Sequence, residues 1–496
     1  MGTKERALKV NSGMMNAPRE TLTDSLRTAL EKGLLASWLP RQRWFRSKAR
    51  AVASVAIEAA IPVTSDATFC AVRVDFMRGD AERYAVPLQL VSSGRRSEYP
   101  EGALAGEAPD GRLFVDACHD ATFRAAWLDI AAGRFEASGT GGLLRGRPDG
   151  SGAFADTERA GKSRLYAGEQ SNTSFNFDER VVVKLFRRFE SGIHPEPEML
   201  RFLRHAGYRD APVFLASLEW APDAAADAGG TESAREAVTL AVAQEFVRDA
   251  ELAWEFWVRE LEVALRADSV PPALLQSAAM LGASVGALHA TLASRPDDPD
   301  FAPEPLMATD LDAARAGSLA RLDTAAGVLE KTVAARLRER LRRVAAAGAK
   351  IRVHGDLHLG QILLAESGPR LLDFEGEPGR PLAEARRKAS PLRDVAGMLR
   401  SFHYAAHVAL RNAHAAIPED RADAFARSLG EAFRHAWHKA IASARLFSEG
   451  AFEASETLDL LNFFILEKAL YELEYERNNR PDWVEIPRRG LRILAG

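Results

Sequence analysis

The strongest chemical signal in the sequence is a polar loop between two short apolar runs. The segment VHGDLHLGQILL carries Asp356 and, five residues later, Gln361, while LLDFEGEP carries Asp373, seventeen residues after Asp356. Phosphoryl transfer from ATP needs a carboxylate that accepts a hydroxyl proton, and oxygen ligands that hold Mg²⁺ against the phosphates. The pattern therefore predicts Asp356 as the base and Gln361 and Asp373 as metal ligands, with a plain polar turn as the alternative.

A lysine within a valine-rich run points to the same chemistry. In VVVKLF, the stem of Lys184 should pack inside a lobe while its ammonium pairs with the α- and β-phosphates of ATP. An outward-facing lysine on an edge strand is the alternative. An acid on the next helix should hold this lysine, and Glu198 in EPEMLRFL is the preferred candidate, with Glu196 as the other choice.

Two further segments fit a nucleotide site. The segment GEQSNTSFNF precedes Lys184, and its backbone N–H groups and hydroxyls can bind phosphate oxygens, although a polar hairpin turn has the same composition. The end of the last strand before the helical region can expose backbone groups to an adenine edge. The residues predicted to contact the nucleotide in these two segments are Gln170, Ser171, Asn172, Thr173, Ser174, Gln244, Phe246 and Val247.

The C-terminal half contributes candidates for loop support and substrate binding. Asp394 begins a helix after a proline and could reach back to orient the catalytic loop. His403 and His407 lie four residues apart, but no third metal ligand is evident, so packing or hydrogen bonding is preferred. Lys468, Glu472 and Tyr475 share one helix face, which suits either sugar hydroxyls or an exposed polar stripe.

Composition excludes several other classes of protein. The 496 residues carry a formal net charge of −4, so nothing favours a nucleic-acid partner. Two cysteines outside any Cys-x-x-Cys pair argue against a disulfide framework and a cysteine-rich zinc site. We expect no membrane span and no secretory signal, and a cytoplasmic location.

The elements that must position these residues form successive regions. We expect a loose N-terminus over 1–22, a β-containing region over 23–138, a β-rich nucleotide-binding region over 139–248 and a mostly helical lobe over 249–496. The stretch from Gly139 to Gly161 is rich in Gly, Pro, Asp and Ser and predicts a linker. A mixed lobe followed by a helical lobe predicts an α+β, bilobal, protein-kinase-like fold.

These motifs together resemble maltokinase, in particular the module often fused to trehalose synthase. The resemblance covers roughly Leu35 to Arg492 and rests on LPRQRWFRSKAR, GEQSNTSFNF, VVVKLFRR with HPEPE, VHGDLHLGQILL, the segment from LLDFEGEPGRP to SFHYAA, and EKALYELEYERNNRPDW. It implies an aminoglycoside-phosphotransferase-like fold with an N-terminal cap over 23–138. It also implies transfer of the ATP γ-phosphate to the anomeric hydroxyl of maltose, giving maltose 1-phosphate for α-glucan synthesis.

The resemblance assigns roles to residues of this chain. Asp356 becomes the base, Gln361 and Asp373 the Mg²⁺ ligands, Lys184 the phosphate-binding lysine and Ser171 to Ser174 the phosphate loop. The predicted substrate-binding residues are His358, Glu375, Arg386, Lys468 and Tyr475, and His354 and Asp394 are expected to support the catalytic loop. Gln361 stands where related kinases usually carry Asn.

Two alternatives to maltose phosphorylation remain open. The acceptor could be another sugar, such as glucosamine, because one pocket residue can redirect specificity. A non-catalytic nucleotide-binding protein that docks on trehalose synthase is disfavoured because the predicted catalytic residues are all present. We expect no attached trehalose synthase domain, and therefore expect any association with that enzyme to be non-covalent.

Overall fold

Valine-rich alternating segments form long antiparallel strands, as their pattern predicts. In β2 (Ala67–Phe76), most side chains are buried because both faces of the strand are covered. The sheets bury their apolar faces against helices, and the predicted α+β class is confirmed. The computed structural model describes residues 22–150, 154, 162–166, 171–223, 237–325, 327–377, 379–413, 417–448, 450 and 454–496.

The strands and helices within the described residues have the following bounds. The strands are β1 (Val52–Pro62), β2 (Ala67–Phe76), β3 (Glu82–Val91), β4 (Leu104–Glu107), β5 (Leu113–Asp116), β6 (Ala137–Gly139), β7 (Gly142–Pro148), β8 (Ser163–Leu165), β9 (Thr173–Phe177), β10 (Val181–Leu185), β11 (Arg188–Phe189), β12 (Phe214–Pro222), β13 (Val238–Glu245), β14 (Ala250–Leu252), β15 (Glu304–Pro305), β16 (Ala349–Lys350), β17 (Ile362–Ala365) and β18 (Gly368–Leu371). The helices are α1 (Asp24–Ala29), α2 (Leu35–Trp38), α3 (Ala121–Ala131), α4 (Pro195–His205), α5 (Ala253–Ala267), α6 (Pro272–Leu292), α7 (Asp312–Thr324), α8 (Lys331–Arg343), α9 (Leu382–Ala385), α10 (Leu392–Asn412), α11 (Glu419–Ile441), α12 (Ser455–Asn479) and α13 (Glu485–Ala495).

The chain divides into two compact units. The first unit comprises residues 1–193 and 215–246, and the second comprises 194–214 and 247–496. The change of unit after residue 246 lies close to the boundary predicted at 248. Helix α4 belongs to the second unit, whereas its sequence position places it in the predicted nucleotide-binding region. The region over 23–138 shares the first unit with the strands that follow it.

Within its described residues, the first unit contains two antiparallel sheets. One has the strand order β1-β2-β3-β5-β4, with β11 paired to β3, and the other has the order β6-β7-β12-β13-β10-β9-β8. The linker predicted over Gly139 to Gly161 is wrong for its first part, because β7 pairs with β12 in that sheet. Gly146 lies so close to the carbonyl oxygen of Ile130 that any Cβ there would clash, so its glycine permits tight packing of α3 and does not mark a linker.

A buried arginine joins elements of the first unit. Arg187 donates to Asp116 Oδ2 at 2.6 Å and to Thr173 Oγ1 at 2.7 Å, and its guanidinium lies over the ring of Trp44. Arg187 is 1% exposed, so these contacts neutralise a charge that would otherwise be costly to bury. The start of the predicted phosphate segment is therefore tied to the N-terminal region.

The second unit is mostly helical. Helices α6 and α11 pack along each other, and α10 contacts α5, α11 and α12. Within the described residues, α6 is long and apolar enough to cross a membrane by length and composition alone. Half of its apolar window is buried inside the protein, which is also the pattern of a core helix.

A small sheet positions the predicted catalytic loop in this unit. Its strand order is β14-β17-β18, and β17 and β18 form a hairpin. The loop carrying Asp356 ends where β17 begins, and Asp373 lies two residues after β18 ends. The two apolar runs of this stretch therefore form β17 and β18, whereas Ile351 forms an isolated bridge to Ala389.

Candidate active site

Asp356 lies between two side chains that can influence its carboxylate. Lys468 Nζ donates to Asp356 Oδ1 at 2.8 Å, and His358 Nε2 lies 4.0 Å from Asp356 Oδ2. Burial alone would lower the pKa of Lys468, but the Asp356 carboxylate outweighs it and the pKa is raised. Lys468 is therefore a cation that orients the carboxylate and leaves its second oxygen free to accept a hydroxyl proton.

The backbone of the catalytic loop is held by Asp394, at the first turn of α10. Its side chain, 1% exposed, accepts from His354 N at 2.8 Å and from Gly355 N at 2.9 Å. Burial would raise the pKa of Asp394, but the hydrogen bond from His289 and the nearby charges hold it below its usual value. An ionised Asp394 thus fixes the loop two residues before Asp356, the geometry expected of a supporting residue.

The hydrogen bonds of His289 show which of its ring nitrogens carries the proton that faces Asp394. His289 Nε2 lies 3.0 Å from Asp394 Oδ2, and Trp437 Nε1 donates to His289 Nδ1 at 2.9 Å. Because an indole N–H can only donate, His289 Nδ1 is the acceptor and Nε2 carries the proton toward Asp394. His354, on the loop itself, places Nε2 2.7 Å from the carbonyl oxygen of Leu372, beside Asp373.

Oxygen ligands gather next to this loop. Gln361 Nε2 donates to Asp373 Oδ2 at 2.9 Å, so the two predicted metal ligands are in contact. Carboxylate oxygens of Glu196, Asp373 and Glu375 all lie within 4.8 Å of one another. Mg²⁺ takes oxygen ligands, and this set of three carboxylates fits it. Asp373 has a φ of +64°, a sparsely populated backbone conformation that points to a functional constraint.

Glu198 has two arginine partners within the second unit. Its Oε2 accepts from Arg352 NH1 at 2.8 Å, and its Oε1 accepts from Arg386 NH2 at 2.6 Å. Both carboxylate oxygens of Glu198 thus bind arginines of the second unit, and its preferred pairing with Lys184, which lies in the first unit, stays a prediction. The alternative acid, Glu196, is 1% exposed and lies with the metal-ligand group.

Arg386, which is predicted to bind substrate, takes part in the same ion pairs. Its guanidinium binds both oxygens of Glu198 and lies 3.2 Å from Asp300 Oδ1. These carboxylates raise the pKa of Arg386, with Glu198 as the largest cause. The observed role of Arg386 is thus to join α4 to the segment that follows Asp373.

The nucleotide-side residues lie in the first unit and at its border. Lys184 lies on β10, is nearly buried, and pairs in register with Ser174 on β9 and Val242 on β13. Among the predicted phosphate-binding residues that the structure describes, Thr173 and Ser174 belong to β9, and Ser171 and Asn172 come directly before it. Gln170 lies outside the described residues.

The predicted adenine-side segment follows the same sheet. Gln244 pairs with Val182 near the end of β13, and Phe246 N donates to Arg180 O at 2.9 Å. Val247 begins the long C-terminal part of the second unit. The contact of these backbone groups with adenine stays a prediction.

A cavity of about 360 Å³ lies beside Lys468 in the second unit. Its wall is rich in aromatic rings and polar groups, as sugar sites are, and most of it was not predicted. The lining residues are Leu252, Trp254, His358, Gly360, Gly397, Ser401, Tyr404, Lys468, Tyr471, Glu472, Tyr475, Glu476, Arg480 and Trp483. Tyr475 is 44% exposed, and Lys468 and Tyr471 also line a smaller cavity that includes Asp356.

The acidic side chains of the larger cavity already have cationic partners. Arg400 Nε donates to Glu472 Oε2 at 2.9 Å. Glu476 accepts from Arg480 at 2.7 Å and from the Tyr404 hydroxyl at 3.2 Å. With Lys468 also present, the described wall offers a sugar both hydrogen-bond donors and acceptors but no carboxylate without a cationic neighbour.

His403 and His407 have the third partner that sequence did not show. His407 Nε2 lies 2.8 Å and His403 Nε2 3.3 Å from Asp423 Oδ1, while Arg489 donates to Asp423 Oδ2. Arg400 NH1 also lies 3.4 Å from His403 Nδ1. Two guanidinium groups oppose a metal cation here, so the preferred hydrogen-bonding interpretation stands.

Because His403 is buried in this cluster, we expect the stability of the fold to decrease at acid pH. Burial, followed by Arg400, lowers the pKa of His403 to about 3, whereas an unfolded histidine titrates near 6.5. The unfolded chain therefore binds a proton on His403 that the folded chain excludes. The contribution of His403 to the free energy of unfolding is fully present above pH 6.5. It is lost as the pH falls toward 3, by up to about 1.4 kcal/mol per pH unit. The urea midpoint of unfolding should therefore fall between pH 7 and pH 5.

Two substitutions test that pH dependence. His403→Gln should flatten the fall in the urea midpoint, because no buried imidazole is left to exclude a proton. His435→Gln is the matched control, since His435 is exposed on α11 and should leave the dependence unchanged. A His403→Gln chain with the wild-type pH dependence would contradict the explanation.

Comparison with known proteins agrees with this arrangement. The model described as "Maltokinase N-terminal cap domain" matches residues 38–120, and that described as "Phosphotransferase enzyme family" matches residues 162–424. A glucosamine kinase of Mycolicibacterium smegmatis is 30% identical over 340 residues, 66% of this chain and 78% of that protein. A glucosamine kinase of Streptacidiphilus jiangxiensis is 26% identical over 341 residues, 66% and 72% of the two chains.

A solved structure is similar over a greater length. Glucosamine kinase in complex with glucosamine, ADP and inorganic phosphate superposes with a TM-score of 0.61 at 21% identity, covering 89% of this chain and 93% of the other. At this identity the likeness shows the fold, which includes the N-terminal region as well as the helical unit.

Proposed function

The chain belongs to the phosphotransferase enzyme family, and from that premise we propose that it transfers the γ-phosphate of ATP to the anomeric hydroxyl of maltose, giving ADP and maltose 1-phosphate. The observation that carries the choice of acceptor is the aromatic cavity beside Lys468. Its volume of about 360 Å³ is in the range of small-molecule sites and leaves room for more than one sugar ring.

The charge of the cavity favours a neutral acceptor. Glucosamine carries an ammonium group, which would be recognised best by a carboxylate with no other cation beside it. Glu472 and Glu476 are bound to Arg400 and Arg480, and Lys468 adds a further positive charge. A neutral glucosyl disaccharide meets no such repulsion and can stack on the aromatic rings.

Glucosamine is the second candidate acceptor because the two relatives described above are named glucosamine kinase. The match to the maltokinase cap model over residues 38–120 favours maltose instead. Non-covalent association with trehalose synthase, a contribution to α-glucan synthesis and a cytoplasmic location stay predictions that rest on the resemblance.

The residues of the second unit account for the chemistry. Asp356 Oδ2 accepts the proton of the sugar hydroxyl as the oxygen–phosphorus bond forms and the bond to the ADP oxygen breaks. Lys468 holds the other carboxylate oxygen and brings positive charge to the reacting oxygens. Gln361, Asp373 and nearby carboxylates would hold Mg²⁺, which neutralises phosphate charge when bound. Lys184 is proposed to bind the α- and β-phosphates.

A sugar panel tests the proposed acceptor. The protein is incubated with ATP, Mg²⁺ and maltose, glucose, glucosamine or trehalose, ADP release is measured, and the phosphorylated hydroxyl is identified by phosphorus NMR. We expect the highest kcat/KM with maltose and an anomeric phosphate as product. A higher kcat/KM for glucosamine, or phosphate on another hydroxyl, would overturn the choice of maltose.

A further inference from the structure

His358 is held in one tautomer by its own loop. Its Nδ1 accepts from Gly360 N at 3.0 Å, so the proton of the neutral ring is on Nε2. Gly360 is needed for this arrangement, because a Cβ there would lie 2.8 Å from Cε1 of the His358 ring. Burial lowers the pKa of His358, which keeps the ring neutral near pH 7.

His358 lines the larger aromatic cavity and Asp356 the smaller one, and the two cavities share Lys468 and Tyr471. His358 Nε2 and Asp356 Oδ2 are 4.0 Å apart, too far for a direct hydrogen bond. The larger cavity is the one proposed to bind the sugar. One oxygen atom at about 2.8 Å from both groups would span this gap, with an angle of about 90° at the oxygen.

We propose that His358 donates a hydrogen bond from Nε2 to the acceptor hydroxyl oxygen while that hydroxyl donates its proton to Asp356 Oδ2. This inference rests on the proposed function only in requiring a sugar alcohol as acceptor. The oxygen then has a bond to carbon, a hydrogen directed to Asp356 and one lone pair directed to His358. Its remaining lone pair is the one that attacks phosphorus, so His358 fixes the direction of attack.

The proton balance of the step leaves His358 unchanged. The hydroxyl proton moves to Asp356, the new oxygen–phosphorus bond forms and the old phosphorus–oxygen bond breaks to release ADP. His358 keeps its Nε2 proton throughout and acts by orientation. It touches the reacting oxygen and is therefore a catalytic residue in this proposal.

Two amide substitutions separate this role from loop capping. In His358→Asn, the side-chain oxygen can still accept from Gly360 N, but no donor reaches the position of Nε2. In His358→Gln, the longer side chain places an amide donor near the Nε2 position and caps the loop less well. The catalytic proposal and a purely structural role therefore predict opposite orders of activity.

The measurement uses steady-state kinetics on whichever sugar the wild-type protein phosphorylates best. We expect His358→Gln to keep at least about a tenth of wild-type kcat and His358→Asn to lose about 100-fold, with KM for the sugar changing less than about threefold. Thermal unfolding of each variant checks that the fold is retained.

Three outcomes would overturn the role of His358. These are an Asn variant at least as active as the Gln variant, equal losses in both, and a loss seen only as a higher KM. A wild-type protein that prefers glucosamine overturns the choice of maltose alone, because the amide comparison is then made with glucosamine.

Discussion

Replacing Asp356 by asparagine should lower kcat for sugar phosphorylation by about 10³-fold while leaving the fold intact, since general-base catalysis contributes roughly 10²–10⁴-fold. The amide keeps the shape of the side chain, and its oxygen can still accept from Lys468 Nζ, as Asp356 Oδ1 does at 2.8 Å. It cannot take up the hydroxyl proton. The loss should therefore fall on kcat, with the KM values for ATP and sugar changed only a few-fold.

The measurement pairs Asp356→Asn with a matched surface change. Asp297→Asn is the control, because Asp297 is exposed and contacts only Arg295 among the described interactions. We expect wild-type kcat from the control and matching thermal unfolding for both variants. An Asp356→Asn protein that turns over at more than a tenth of the wild-type rate would remove Asp356 from the role of base.

The proximity of Gln361 and Asp373 could be predicted, because the two residues flank one short hairpin. Asp356 and Gln361 precede β17 and Asp373 follows β18, so the β17–β18 hairpin brings Gln361 and Asp373 to the same end. The hydrogen bond between Gln361 and Asp373 is the direct consequence. The helix face with Lys468 and Tyr475 could also be predicted, because residues three and four apart share a face.

The arginine partners of Glu198 could not be predicted, because the orientation of α4 decides them. Glu196 and Glu198 are two residues apart, about 200° around a helix, so only one of them can face a given neighbour. Nothing in the local sequence tells which side of α4 is packed inward. Glu198 faces Arg352 and Arg386, which lie more than 150 residues further along the chain.

The residues that hold Asp394 in place could not be predicted from the sequence either. His289 and Trp437 bind each other across 148 residues and then reach Asp394. Each lies on a helix whose pattern is that of an ordinary buried helix, so no local signal marks it. Tyr471 could have been predicted from the sequence, because it follows Lys468 by three residues on the same helix, and it lines the same cavity.

Asp394 offers the clearest test of how the catalytic loop is held. We expect Asp394→Asn to destabilise the second unit by about 3 kcal/mol, because removing a buried charge leaves its hydrogen-bond donors without a partner. The carboxylate accepts from His354 N, Gly355 N and His289 Nε2. An amide has a single oxygen, and its NH₂ group would face at least one of these N–H donors.

The same substitution should reduce catalysis beyond its effect on stability. The backbone of His354 and Gly355 sets the position of Asp356, so a looser loop should lower kcat by about 100-fold at a temperature where the variant is folded. Asp420→Asn is the matched control, since Asp420 is exposed on α11 and pairs only with Arg489 in the described contacts. Urea unfolding and kcat measured at 10 °C separate the two effects. A loss of stability alone does not change the kcat of the molecules that remain folded. An Asp394→Asn protein with wild-type kcat would therefore show that the loop keeps its geometry without the carboxylate.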